Sequence, residues 1–347
     1  MEPRPAGSAA EARARDYCAN RLQELGFSVQ EEPFAYSALP GRLATPLAGI
    51  SSVILLGAAG QLGWRGHAAL ALAVAAGGGS LLVLGALWLM RRGVLSLPWW
   101  RERGVNLEAR RSEPRYWLVA HLDTKSQPIP LAVRALGVMA LILVWISALA
   151  LAVVQLLGVR VAWAWPWISA AGLVAGLPVA ASVVRSRSPG ALDNASGVAT
   201  VLCIVEELGR DHPLGVLLTS AEELGLAGAR AWVRGRPRGS AINVDGIDDQ
   251  GGLRLTYTGR RPRELLAALL DAARAAKRRA RSGLLLPGVL LDGVALAGGG
   301  WEVVTVSKGV WGTVARIHTP RDDLSSLTGR GVAEAADVVV RALRGLT

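Results

Sequence analysis

The chain has 347 residues, a hydrophobic fraction of 51% and a formal net charge of +11, with a mean hydropathy of +0.34. So apolar a composition excludes an ordinary soluble enzyme and points to membrane segments. The positive charge fits a positive-inside bias or an anionic lipid surface. No basic stripe with stacking aromatics, as a nucleic-acid partner requires, is visible.

In chain order, residues 9–25 predict an amphipathic helix ended by Gly26, and residues 27–34 a strand. Glu11, Arg13, Arg15 and Asp16 interrupt the continuous apolar core that a signal peptide needs. Apolar segments then follow in two pairs, 43–64 with 66–90 and 135–159 with 161–184. Each exceeds the roughly 20 residues that cross a hydrocarbon core. Only Arg65 and Arg160 carry formal charge between the paired segments, so each pair predicts a tight hairpin of transmembrane helices, at 43–92 and 131–185. Many of the 12 tryptophans lie beside them, among them Trp88, Trp99, Trp100, Trp163, Trp165 and Trp167, as interfacial anchors do.

Hairpins return the chain to the side it left. A discontinuous soluble domain (1–36, 93–128 and 186–347) is therefore expected on one side, with both termini. Arg91, Arg92, Arg101, Arg103, Arg134, Arg185 and Arg187 flank the hairpins on that side, so the positive-inside rule predicts an integral membrane protein with a cytoplasmic soluble domain. The two cysteines, Cys18 and Cys203, lie far apart and fit a reducing compartment.

The soluble part alternates strand and helix. Strands are expected at 116–120, 215–220, 241–244 and 253–258, and short extended pieces at 303–307 and 314–317. Helices are expected at 197–208, 227–234, 262–281 and 332–343. This pattern predicts an α/β domain with a mainly parallel central sheet and helices on both faces. Lys277, Arg278, Arg279 and Arg281 are expected to complement the dipole at the end of the 262–281 helix.

Chemistry-bearing residues recur after these elements. His121-Leu122-Asp123 ends the first soluble strand after the opening one, and i, i+2 residues of a strand share a face. His121 reads as a metal ligand with Asp123 fixing it, or as a polar strand end. Asp193, before Asn194-Ala195-Ser196-Gly197, reads as a carboxylate bridging two metals or as a helix N-cap. Of Glu222-Glu223, one suits a metal and the other a water-activating base; an acidic turn is the alternative. Asp245 and His318 each follow short apolar stretches. Carboxylates and imidazoles without thiolates suit a catalytic zinc site. Only four histidines exist; His67 and His212 read as surface residues.

Taken together, His121-Leu-Asp123-Thr124, Asp193-Asn194-Ala-Ser-Gly197, Glu222-Glu223, Asn243-Val-Asp245 and His318-Thr-Pro320 resemble the M28 family of zinc aminopeptidases, in the family's order. The resemblance implies a three-layer α/β/α zinc-peptidase domain, here carrying two transmembrane hairpins, and two Zn2+ per chain. It implies that His121 and Asp245 hold one zinc, Glu223 and His318 the other, with Asp193 bridging. Glu222 is then the general base, Asp123 orients His121, and the substrate is a peptide or related amide. Two departures stand out: a membrane hairpin interrupts the normally short run from His121 to Asp193, and the soluble remainder is small. Glutaminyl cyclases share the fold and much of the motif set with a single zinc, and other relatives serve as receptors or scaffolds without catalysis.

Overall fold

The computed structural model describes residues 2–286 and 288–346. In chain order they form α1 (Ala9–Glu24), β1 (Ser28–Ser37), the apolar helices α2 (Leu39–Trp64) and α3 (Ala68–Trp88), a single turn α4 (Val94–Ser96) and β2 (Arg101–Arg111). After β3 (Tyr116–His121) come two more apolar helices, α5 (Leu131–Leu156) and α6 (Trp165–Ala180). The next group is α7 (Ser196–Leu208), β4 (Leu214–Thr219), α8 (Ala227–Val233), β5 (Ser240–Ile247), β6 (Gly252–Tyr257) and α9 (Arg263–Ala275). Then follow β7 (Ala280–Leu284), α10 (Asp292–Gly298), β8 (Glu302–Gly309), α11 (Trp311–Arg316) and α12 (Arg330–Leu346). The elements divide into two compact units, one helical (Ala38–Ser96 and Gln127–Arg185) and one that contains the whole sheet.

The sheet has eight strands in the order β1-β2-β4-β3-β5-β8-β6-β7. Its middle, β4-β3-β5-β8, is parallel; β2 and β6 join it antiparallel on either side. Strand alternation divides the apolar side chains between two faces. Leu118, Ala120, Val216, Leu218, Ile242, Val244, Val304 and Val306 pack with α1, α7, α9 and α12. Trp117, Val119, Leu217, Ala241 and Val303 pack with Trp232 of α8 and Leu296 of α10. Both faces are covered, which is why these strands read as continuous apolar runs. On α12, Ala335, Ala336, Val338, Val339, Val340, Ala342 and Leu343 are all buried. Each fully buried Val or Leu there contributes roughly 1.5–3 kcal/mol.

Three departures from expectation concern the elements of the sheet unit that its charged residues obscure. Strand β2 is absent from the sequence reading because its Arg and Glu residues mask the pattern. The structure buries Glu108 and pairs it with Arg110, Arg236 (2.7 Å) and the Trp232 indole N–H (2.5 Å). The expected 262–281 helix stops at Ala275. Lys277 takes a left-handed φ of 55°, and its N–H and that of Arg278 donate back to Arg274 and Ala273 carbonyls (3.0 and 2.8 Å). This is a Schellman closure without the usual glycine, so no local signal marks it. Arg279 and Arg281 therefore do not end a helix, and residues 280–284 pair with β6 instead. Third, 314–317 was expected to be extended but lies largely in α11, whose first turn is closed by the Val310 N–H donating to Thr313 Oγ1 (2.9 Å).

In the helical unit, α2, α3, α5 and the segment 162–180 that includes α6 are each long and apolar enough to cross a membrane. Their packing depends on small residues. A Cβ on Gly63 would stand 2.0 Å from the Trp165 ring, and one on Gly60 2.0 Å from Ser169 Oγ. Trp165 is fully buried, and its indole N–H donates to Gln155 Oε1 (2.6 Å), while Gln155 Nε2 donates to the Gly63 carbonyl (2.9 Å). One of the few polar side chains in these helices thus both donates and accepts within them. Leu81, Leu84, Leu136, Met139, Leu143 and Ile146 point outward. Apolar faces on both sides of a helix are what lipid contact requires.

Candidate metal centre

Five site residues lie at or just beyond the carboxyl ends of β3, β4 and β5, where α/β sheets assemble sites. His121 is the last residue of β3, and its Nδ1 lies 3.0 Å from the Asp123 carbonyl oxygen. A proton on Nδ1 makes that contact a hydrogen bond and leaves the Nε2 lone pair facing inward. The Asp123 carboxylate does something else: it accepts from the backbone N–H groups of Glu222 (3.0 Å) and Glu223 (3.2 Å). Asp123 thereby ties the end of β3 to the turn after β4.

Asp245 sits in β5 where the pairing with β8 shifts register between Val244 and Ile247. Such a bulge re-aims a side chain, here followed by Gly246 at φ 69°. Asp193 and His318 do not follow strands, contrary to expectation. Asp193 lies in the turn Ala191–Ala195, where it and Asn194 leave helical geometry (φ -119° and -140°), and His318 follows α11 with φ 64°. Asp322 joins the two segments: its carboxylate accepts from the Leu192 N–H (2.6 Å) and the Asp193 N–H (3.2 Å). Asn194 links the same turn to β5, donating to the Val244 carbonyl (2.9 Å) and accepting from the Gly197 (3.0 Å) and Gly246 (3.2 Å) N–H groups.

All the expected metal and base residues converge. Asp193 Oδ1 stands 3.0 Å from His121 Nε2, and Asp193 Oδ2 stands 3.0 Å from His318 Nε2. Asp245 Oδ2 is 3.8 Å from His121 Nε2, and Glu223 Oε1 is 3.1 Å from His318 Nε2. Two ligand groups result, His121 with Glu222 and Asp245, and Asp193 with Glu223 and His318. Within each, the donor atoms lie within 4.8 Å of one another. His121 Nε2, Glu223 Oε1 and Asp245 Oδ2 are buried, and despite these short separations none lies in the geometry of a hydrogen bond. Unpaired lone pairs facing one another at this burial are costly, and a shared cation relieves them. The donor set of nitrogens and carboxylate oxygens fits zinc.

The electrostatics carry the same imprint. Burial opposes a charge on His121, but Glu222, Asp193 and Asp245 outweigh it and hold its pKa well above the ordinary value. Burial also opposes the charge of Asp193, and His121 and His318 outweigh it to hold the carboxyl well below its usual range. Asp245 is pushed up to about 8 by burial, with neighbouring carboxylates adding to the effect. The adjacent glutamates diverge. Burial and then Glu223, Asp292 and Asp245 push Glu222 well above its ordinary range. Glu223 is lowered because His318 and Lys125 outweigh its burial; Lys125 Nζ lies 2.5 Å from Glu223 Oε2.

Lys125, Asp322 and the fully buried Asp292, which accepts from the Thr219 hydroxyl, complete the surroundings. The sequence alone gives none of the three a role. Asp322 sits four residues after His318, and that proximity is the only signal.

Residues 176–343 match the model of peptidase family M28. No curated protein matches the chain. Among solved structures, the chain is similar to BSAP, a zinc aminopeptidase from Bacillus subtilis, at 14% identity over 99% of this chain and 91% of that one, with a TM-score of 0.57. It is similar to the aminopeptidase of Aneurinibacillus sp. strain AM-1 at 14% identity, covering 99% and 90%, with a TM-score of 0.56. The glutaminyl cyclase of Porphyromonas gingivalis is similar at 15% identity, covering 99% and 93%, also with a TM-score of 0.56. At such identities these likenesses speak for the fold, a mixed, mainly parallel sheet between helices. The sequence match spans the segment carrying Asp193, Glu222, Glu223, Asp245 and His318, so this part of the chain is similar to peptidase family M28 and its fold is that of zinc aminopeptidases.

Proposed function

We propose that the protein is a membrane-anchored di-zinc aminopeptidase that hydrolyses peptides or related amides. The observation that carries this reading is Asp193, whose two oxygens each stand 3.0 Å from a different histidine. In this reading His121 and Asp245 hold one Zn2+, Glu223 and His318 the other, and Asp193 serves both. Bound zinc supplies Lewis acidity, polarising the scissile carbonyl and lowering the pKa of water toward about 7. Glu222 accepts the proton of the attacking water on its carboxylate and delivers it to the leaving amine. Its divergence from Glu223 supports this division of labour, because neighbouring carboxyls pushed apart in pKa take different roles. Asp123 acts by position, holding the Glu222 and Glu223 amides with its carboxylate and the His121 ring with its carbonyl.

The four apolar helices anchor the chain in a bilayer, and the arginines flanking them favour a cytoplasmic sheet unit. A C-terminal reporter active only outside the cell would contradict that orientation. The enzymatic reading is tested by metal analysis of the detergent-purified chain with a panel of aminoacyl reporters, with and without chelator. Turnover that is lost on chelation and restored by Zn2+, with two ions per chain, is expected. One ion per chain with cyclisation of N-terminal glutamine would instead support a glutaminyl-cyclase activity. Full metal content without turnover of any substrate would support a scaffold.

A further inference from the structure

We propose that Arg4 is a positioning residue that sets the spacing between the two loops of the metal centre, an inference that rests on the metallopeptidase reading. His121 ends β3, and no short stretch of chain connects the loop that follows it to the turn carrying Asp193, because Gln127–Arg185 leaves for the helical unit between them. Something other than the local backbone must fix their separation, and loop closure over so long an excursion provides little constraint.

Arg4 makes that connection. Its Nε donates to the Leu122 carbonyl (3.0 Å), beside His121. Its two terminal nitrogens donate to the Pro189 (2.8 Å) and Gly190 (3.2 Å) carbonyls, just before Asp193. Its backbone pairs with Thr124 in both directions: the Arg4 N–H donates to Thr124 Oγ1 (2.8 Å), and the Thr124 N–H donates to the Arg4 carbonyl (2.9 Å). The Thr124 hydroxyl then donates to the Ser188 carbonyl (3.2 Å). A guanidinium has donors in a fixed planar fork, so one side chain spans both loops at a defined distance. Arg4 is only 6% exposed. Burial opposes its charge, while Asp123, Asp322 and Asp193 of the centre sustain it. Displacing either loop moves Asp193 away from His121, with which it is to hold a metal.

The test is Zn2+ affinity, measured by chelator competition on the full chain in detergent, with circular dichroism of the metal-free form as a check on folding. Arg4→Ala is expected to bind Zn2+ at least ~10-fold more weakly than wild type, the range typical of losing a partner that orients ligands. Arg4→Lys keeps the charge but not the fork and should fall between the two. Arg13→Ala, at an exposed arginine of the same region, should bind as wild type does. A folded Arg4→Ala with wild-type affinity overturns the proposal, even if its melting temperature drops. If Arg4→Ala does not fold, Arg4→Lys decides: weaker binding upholds the role and unchanged binding removes it. A wild-type chain that takes up no Zn2+ refutes the metallopeptidase reading itself.

Discussion

The two units solve opposite problems. The sheet unit gathers ionisable side chains inside itself: Asp193, Glu222, Glu223, Asp245, His121 and His318 share one buried site. It holds them through side chains bonded to the backbone: the Asp123 and Asp322 carboxylates accept from N–H groups, and the Asn194 amide donates to a carbonyl. The helical unit carries few charges within its long apolar helices and relies on close approach, with Gly60 and Gly63 against Ser169 and Trp165. Precision in the first comes from satisfied polar groups, and in the second from the absence of a Cβ. Substitutions should therefore fail differently: in the sheet unit through chemistry and metal, in the helical unit through packing alone.

The sharpest separation comes from Glu222→Gln. It should lower kcat by about 10^2–10^4-fold while the metal content stays near that of wild type. Loss of metal from this variant would make Glu222 a ligand. Gly63→Ala is the matching change in the helical unit. A methyl 2.0 Å from Trp165 forces a shift, and overpacking of this kind costs about 1–3 kcal/mol. Thermal unfolding should register it while zinc affinity does not move. A fall in zinc affinity would show that the two kinds of failure are not separate.

Acidity tests the buried carboxylates. Asp245 is raised to about 8 without metal, against about 4 in an unfolded chain. A raised carboxyl favours the protonated native state, so its contribution is complete below about 4 and lost as the pH climbs through about 8. The chelated protein should accordingly lose stability from pH 5 to 8. Zinc requires the ionised carboxylate, so the stabilisation zinc adds should grow over the same interval. A flat difference between loaded and chelated melting temperatures would contradict a metal at Asp245. The smallest effect is expected at Lys277→Gly: relieving a left-handed φ should stabilise the sheet unit by about 1 kcal/mol, readable as a shift in denaturation midpoint.

Much of this was legible in the sequence because ligand chemistry and apolar patterns are local. His121, Asp193, Glu222, Glu223, Asp245 and His318 stand in motifs, and the apolar helices declare themselves by length. What stayed hidden depends on distant partners. Strand β2 is hidden because the partners that let Glu108 be buried, the Trp232 indole N–H and the Arg236 guanidinium, stand far along the chain. The end of α9 is hidden by a lysine where a glycine would have announced it. Helix α11 looked extended because Thr313 and Arg316 are held by Asp248, which no window around residues 311–316 includes. Arg4 gave no signal at all, since its partners are carbonyl groups.

The central claim is that Asp193 joins two metal positions. Anomalous diffraction at the zinc edge from crystals of the zinc-loaded chain tests it most directly. Two peaks are predicted, one on the His121 and Asp245 side of Asp193 and the other on the Glu223 and His318 side, both absent in Asp193→Ala. A single peak in the wild-type protein, or two that persist without Asp193, would contradict the account.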